Sequence, residues 1–190
     1  MQKQLLCLLA ASGLSMIAAS AGAAMQIQAS THLAPTESQT QAGPSQIDYD
    51  GFVELTGKLV SYRQTRLLAK EDFFRRTAQA DALLLDTRSA AAFAAGHIEG
   101  AVNLPFSDFT DEKLRQVIGP DRDRPIFIYC NNNFSDDATP VVAKKAPLAL
   151  NIPTFINLYG YGYENIWELE GIMATAEVAW VGDLPRPLAD

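Results

Sequence analysis

Cys130 ends an apolar run, Pro125-Ile126-Phe127-Ile128-Tyr129, and begins a polar one, Asn131-Asn132-Asn133-Phe134-Ser135-Asp136-Asp137. The first run reads as a buried strand and the second as a loop leading into a helix at Pro140. A thiol at the carboxyl end of a buried strand, just before a helix amino terminus, sits where open α/β sheets place their ligands. Free backbone N–H groups at such a place favour the thiolate, the form of sulfur that reacts.

The chain has two cysteines, and the other, Cys7, falls in a stretch patterned as a secretion signal. Met1-Gln2-Lys3 opens it, an apolar segment runs to Met16-Ile17, and Ala21-Gly22-Ala23 fits the small-x-small cleavage rule. Ser12, Gly13 and Ser15 interrupt the apolar segment, which suits a cleaved signal better than a permanent spanning helix. Residues 1–23 are therefore read as a signal peptide, and a periplasmic or secreted location is expected. Residues 24–46 are rich in Gln, Ser, Thr, Ala and Pro without periodicity and read as a flexible linker, leaving 47–190 as the domain. Cleavage would leave Cys130 with neither a disulfide partner nor a Cys-x-x-Cys companion. Such a thiol is either an inert buried residue, the commoner state of a free cysteine, or a group kept because it reacts.

The elements that must position Cys130 alternate between helical and strand patterns. Phe52, Leu55, Leu59 and Tyr62 fall at helical spacing. Arg66-Leu67-Leu68-Ala69 is a short strand, followed by a helix carrying Phe73, Phe74 and Ala78. Ala82-Leu83-Leu84-Leu85 is continuously apolar, as a parallel strand covered on both faces must be. Ser89 caps an alanine-rich helix that Gly96 stops, and Thr110 caps a helix that ends before Gly119. Ala101-Val102-Asn103-Leu104 is a strand between them. The helix expected at Pro140 is limited by Pro147, and Asn165-Ile166-Trp167-Glu168-Leu169 reads as the last strand. The alternation predicts an α/β fold, a central parallel sheet with helices on both faces.

Fifteen Lys and Arg face 22 Asp and Glu, a net charge of −7, and no basic cluster is present. An acidic chain of this kind is not suited to nucleic acid or to anionic membrane. Its length fits one domain with a full hydrophobic core, expected as a monomer and free of the membrane once the signal is removed.

Asp86-Thr87-Arg88, then Phe93, then Gly96-His97-Ile98-Glu99-Gly100-Ala101-Val102-Asn103-Leu104-Pro105 resembles the signature of rhodanese-type sulfurtransferase domains. The spacing to an apolar strand ending in cysteine fits, as does the later Gly162-Tyr163-Glu164-Asn165-Ile166-Trp167-Glu168-Leu169-Glu170-Gly171. Trp180 and Leu184-Pro185 match more loosely, so that the resemblance spans roughly residues 66–185. It implies a rhodanese-like fold and a persulfide mechanism. Cys130 would take the outer sulfur of a small donor and pass it to a thiol or cyanide, a covalent route split into two steps. Backbone N–H groups of the loop formed by Asn131, Asn132, Asn133, Phe134, Ser135 and Asp136 would hold the charged sulfur. Neither cofactor nor metal is implied.

Asp86 and Arg88, at a strand end, read as a structural ion pair bracing that loop. His97, flanked by glycines, reads as a packing residue and not as a general base. Tyr159, Tyr161 and Tyr163 fit either a pocket rim or core packing, while Trp167 and Trp180 read as core.

The loop departs from the family pattern in carrying no Arg, Lys or Gly. Without a cation, a thiosulfate sulfonate forgoes charge-assisted hydrogen bonds worth about 1.5–3 kcal/mol each. Asp136 and Asp137, near the expected helix start, would repel an anion and raise the thiol pKa. Asparagine tolerates left-handed backbone angles, so the three in a row are expected to stand in for glycines and to offer amide donors. A donor other than thiosulfate follows. A phosphatase or arsenate reductase would need an arginine after the cysteine. The remaining alternatives are a non-catalytic binding or redox-sensing module and another thiol enzyme, the latter weakened by the lack of a resolving cysteine.

Overall fold

Leu83–Asp86 (β2) and Ile126–Tyr129 (β5) are buried at every position, as the middle of a parallel sheet requires. The computed structural model describes residues 46–182. The signal read at 1–23, the linker at 24–46 except its last residue, and Leu184-Pro185 lie outside the described residues.

The elements run α1 (Tyr49–Gln64), β1 (Leu67–Leu68), α2 (Lys70–Thr77), β2, α3 (Ala90–Ala95), β3 (Gly96–Ile98), β4 (Val102–Asn103), α4 (Asp111–Ile118), β5, α5 (Asn151–Gly160), β6 (Ile166–Leu169) and β7 (Trp180–Gly182). Five strands form one parallel sheet in the order β1-β6-β5-β2-β4. Within it Asp86 lies opposite both Tyr129 and Asn103, and Ile128 opposite Glu168. That register brings Asp86, Asn103 and Cys130 to the same carboxyl edge.

Strand alternation divides the core in two. Leu83, Leu85, Ile126 and Ile128 face Leu59 of α1, Leu114 and Ile118 of α4, and Phe155 and Leu158 of α5. Leu84, Phe127 and Tyr129 face Phe73 of α2 and Ile98 of β3. The expected helices on both faces are thus in place. Ser89 and Thr110 cap α3 and α4, accepting the N–H of Ala92 and of Lys113, each at 3.2 Å.

Two expectations need correction. Asn165–Leu169 is not the last strand: β7 follows and pairs antiparallel with β3, the strand formed by Gly96-His97-Ile98. No helix starts at Pro140; the next α-helix begins at Asn151. Between them the backbone is claimed by side chains. Asn131 Nδ2 donates to the Val142 carbonyl at 2.7 Å, Asn132 Nδ2 to that of Lys144 at 2.6 Å, and the N–H groups of Ala143 and Lys144 donate to Asp137 and Asn132. Asn and Asp compete in this way with helical hydrogen bonds. Residues 137–149 form a strap instead.

Candidate active site

Beside the cysteine strand, Arg88 and Asp86 make a buried pair with the guanidinium Nη2 2.6 Å from Asp86 Oδ2. Tyr129 donates its hydroxyl to the same carboxylate oxygen at 2.6 Å. Arg88 also donates to the carbonyls of Gly96, at 2.8 Å, and Pro140, at 3.3 Å. Burial works against the guanidinium's charge, but the hydrogen bonds and charge of Asp86 outweigh it and hold Arg88 above its ordinary value. Burial likewise raises the Tyr129 phenol, and the Asp86 carboxylate adds to the effect. One ion pair thus joins the end of β2, the start of β3, the strap and β5.

Asn131–Asn133 form a 3-10 turn directly after the cysteine. The asparagines do not take glycine-like angles: among the described non-glycine residues, positive φ occurs at Asp137 (φ 43°). Their amide nitrogens are also engaged within the protein. Asn131 and Asn132 hold the strap, and Asn133 lies buried beneath the turn. Its Nδ2 donates to the carbonyls of Leu169, at 2.9 Å, and Gly171, at 3.1 Å, while its Oδ1 accepts the Cys130 N–H at 2.9 Å.

Cys130 is 1% exposed. Burial pushes the Cys130 thiol up, and the backbone N–H groups of Asn151, Asn132 and Leu150 donate toward it and pull it partly back. Its resting form is the thiol, contrary to the sequence expectation that the site favours the thiolate. Asp136 and Asp137 are not the opposing charges: Asp136 accepts from the Thr175 N–H at 2.8 Å and hydroxyl at 3.2 Å, and Asp137 from the Ala143 N–H at 2.8 Å. The carboxylate that raises the thiol is Glu168. Glu168 is held bidentately by Arg63, at 2.6 and 2.7 Å, and accepts from Asn151 Nδ2 at 3.3 Å.

A cleft of about 300 Å³ opens beside the turn, lined by Thr87, Arg88, Ser89, Phe106, Ser107, Asn131, Asn132, Lys144 and Leu150 among others. Asn131 and Asn132, the two residues that follow Cys130, both line it, so the buried cysteine lies beside its wall. Of the loop residues singled out in the sequence, Asn131 and Asn132 reach this cleft. Phe134 packs edge-on against Tyr129 and Trp180, and Ser135 donates its N–H to the Met173 carbonyl. His97 stacks on Phe93 at 3.7 Å with Nδ1 2.8 Å from the Phe93 carbonyl. Tyr163 is fully buried, Tyr159 and Tyr161 pack on the core, and none of the three lines the cleft.

Sequence reasoning missed Lys144, Leu150, Asn151 and Glu168. Glu168 carried a signal, a carboxylate inside an apolar strand; the other three carried none. Among the described residues, no group of three or more His, Cys, Asp or Glu is placed to hold a metal ion.

Residues 70–174 match the family described as Rhodanese-like domain. Among solved structures, the chain is similar to the Alr3790 protein of Anabaena sp., with 18% identity over 60% of this chain and 91% of that chain and a TM-score of 0.44. It is also similar to the 30 kDa polysulfide-sulfur transferase homodimer of Wolinella succinogenes, with 19% identity over 64% and 80% of the two chains and a TM-score of 0.38. For protein hp1203 of Helicobacter pylori 26695 the values are 16%, 64%, 93% and 0.41. No curated protein matches the chain.

Proposed function

The chain belongs to the rhodanese-like domain family, and from that premise we propose that it is an exported sulfurtransferase carrying sulfane sulfur as a persulfide on Cys130. The observation that carries this reading is the position of Cys130 at the carboxyl end of the buried β5, directly before the Asn131–Asn133 turn, where the Asn151, Asn132 and Leu150 N–H groups offset part of the rise that burial causes. Backbone donors aimed at one sulfur are what a charged terminal sulfur needs in place of water.

In the first step the Cys130 thiolate attacks the outer sulfur of a donor R–S–SH. The donor's S–S bond breaks, a new S–S bond forms on Cys130, and RS⁻ leaves with the electron pair and takes a proton from water. In the second, a thiolate or cyanide attacks that outer sulfur and releases Cys130 as thiolate, giving a new persulfide or thiocyanate. The thiol proton must leave before the first step, so the raised pKa makes deprotonation the gate to reaction. The donor is a low-molecular-weight persulfide and not thiosulfate, and the enzyme works as a monomer without nucleic acid, outside the cytoplasm.

Loading tests the proposal. Mature protein is incubated with glutathione persulfide, inorganic polysulfide or thiosulfate and weighed intact. One added sulfur, removed by cyanide and absent from Cys130→Ser, is expected. No adduct from any donor overturns the sulfurtransferase reading and favours a binding or redox-sensing module, to which the near-complete burial of the thiol would then belong.

A further inference from the structure

The strap that replaces the expected helix brings a cation to the cleft. Lys144 lines it, and the Lys144 main chain is held on both sides by Asn132, its N–H donating to Oδ1 at 3.1 Å and its carbonyl accepting Nδ2 at 2.6 Å. The backbone that presents the side chain is therefore fixed to the residue two positions after Cys130. No described side chain pairs with the Lys144 ammonium. The other cation of the cleft, Arg88, is committed to Asp86 and to the Gly96 and Pro140 carbonyls.

Among the described residues no carboxylate lines the cleft, although the chain carries 22 Asp and Glu and a net charge of −7. Thr87, Ser89, Ser107 and Phe106 are among the residues that complete the walls. A cation with no ion-pair partner among polar and apolar walls, in a space of about 300 Å³, suits a small organic anion. The cation and the sulfur come from different segments, and Lys144 lines the cleft whereas Cys130 does not. The anionic group and the reacting sulfur of a ligand must accordingly stand apart. In thiosulfate they are joined through a single S–S bond; in a persulfide of an amino acid or short peptide a carbon skeleton separates them.

We infer that Lys144 is the specificity residue of this cleft, its ammonium binding the carboxylate of a small persulfide donor whose outer sulfur is delivered to Cys130. The inference rests on the sulfurtransferase reading for its chemistry, not for its binding. Lys144 replaces the cation missing from the cysteine loop, so that charge selects the donor's body and not its sulfur.

Loading kinetics with glutathione persulfide and with its diethyl ester provide the test. Lys144→Gln is expected to raise KM for the free acid about tenfold or more, with kcat unchanged and no effect on the ester, and Lys144→Arg to restore the wild-type value. Equal KM in wild type and Lys144→Gln, with Cys130 loading normally, overturns the inference and leaves the sulfurtransferase reading standing. A calorimetric titration of reduced glutathione into Cys130→Ser, with and without Lys144→Gln, reads binding alone. Weaker binding on loss of Lys144 supports the inference even if no donor loads Cys130, and equal binding, or none in either protein, overturns it.

Discussion

Asn133 holds Cys130 by its main chain: the Asn133 side-chain oxygen accepts the Cys130 N–H at 2.9 Å, and its amide donates across to the Leu169 carbonyl at the end of β6. The nucleophile's backbone is thereby referenced to the neighbouring strand. Asn151 Nδ2 reaches the same Asn133 oxygen at 3.1 Å, and also reaches Glu168. One chain of polar contacts therefore runs from Arg63 on α1 through Glu168, Asn151 and Asn133 to Cys130.

Replacing Asn133 by Ala leaves the buried Cys130 N–H and the buried Leu169 carbonyl without their Asn133 partner. The expected loss is about 1–3 kcal/mol per group left unsatisfied, read as a lower urea midpoint at unchanged m. Asn132→Ala, at the more exposed cleft wall, should cost less than about 1 kcal/mol while loosening the strap. Its signature is faster proteolysis between residues 137 and 149.

Burial raises the Cys130 thiol, so folded protein keeps its proton at pH values where an unfolded thiol, near 8.5, has lost it. The contribution to stability is whole below the unfolded value and falls as pH rises through the folded one. Above about pH 8.5, wild type should lose Tm faster than Cys130→Ser, and iodoacetamide labelling of Cys130 should keep climbing past the pH at which a free thiol is fully labelled.

Glu168→Gln removes the carboxylate that raises the thiol, so the alkylation midpoint should move to lower pH. Arg63→Ala uncovers that carboxylate and should move it higher. Opposite shifts from two ends of one ion pair distinguish an electrostatic effect from general loosening, which would speed labelling in both.

The Asp86–Arg88 pair is 0% and 3% exposed, and breaking it strands a buried charge. Arg88→Ala should cost about 3–5 kcal/mol, measured by denaturant unfolding. Cost in the double change Asp86→Ala, Arg88→Ala should fall below the sum of the single ones, because neither charge is then left alone.

Cys130 was legible in the sequence because its signals are local: an apolar run sets the strand, and a switch to polar residues sets its end. The parallel sheet followed from the alternation of periods, and the caps at Ser89 and Thr110 from side chains that bond within their own first turn. The Pro140 helix failed for the opposite reason. Whether residues 140–145 coil or extend depended on Asn131, Asn132 and Asp137 reaching their backbone groups.

The sequence by itself determined where a thiol stands at a sheet edge and which fold surrounds it. Only the tertiary structure decided what surrounds the sulfur. Its donors at Leu150 and Asn151, its opposing carboxylate at Glu168 and the cation at Lys144 all lie well downstream. Asparagine types at 131–133 are equally compatible with a substrate cradle and with a latch. Hydrogen-bond partners in a loop are chosen by what packing brings within 3 Å, and residue order alone does not contain that distance.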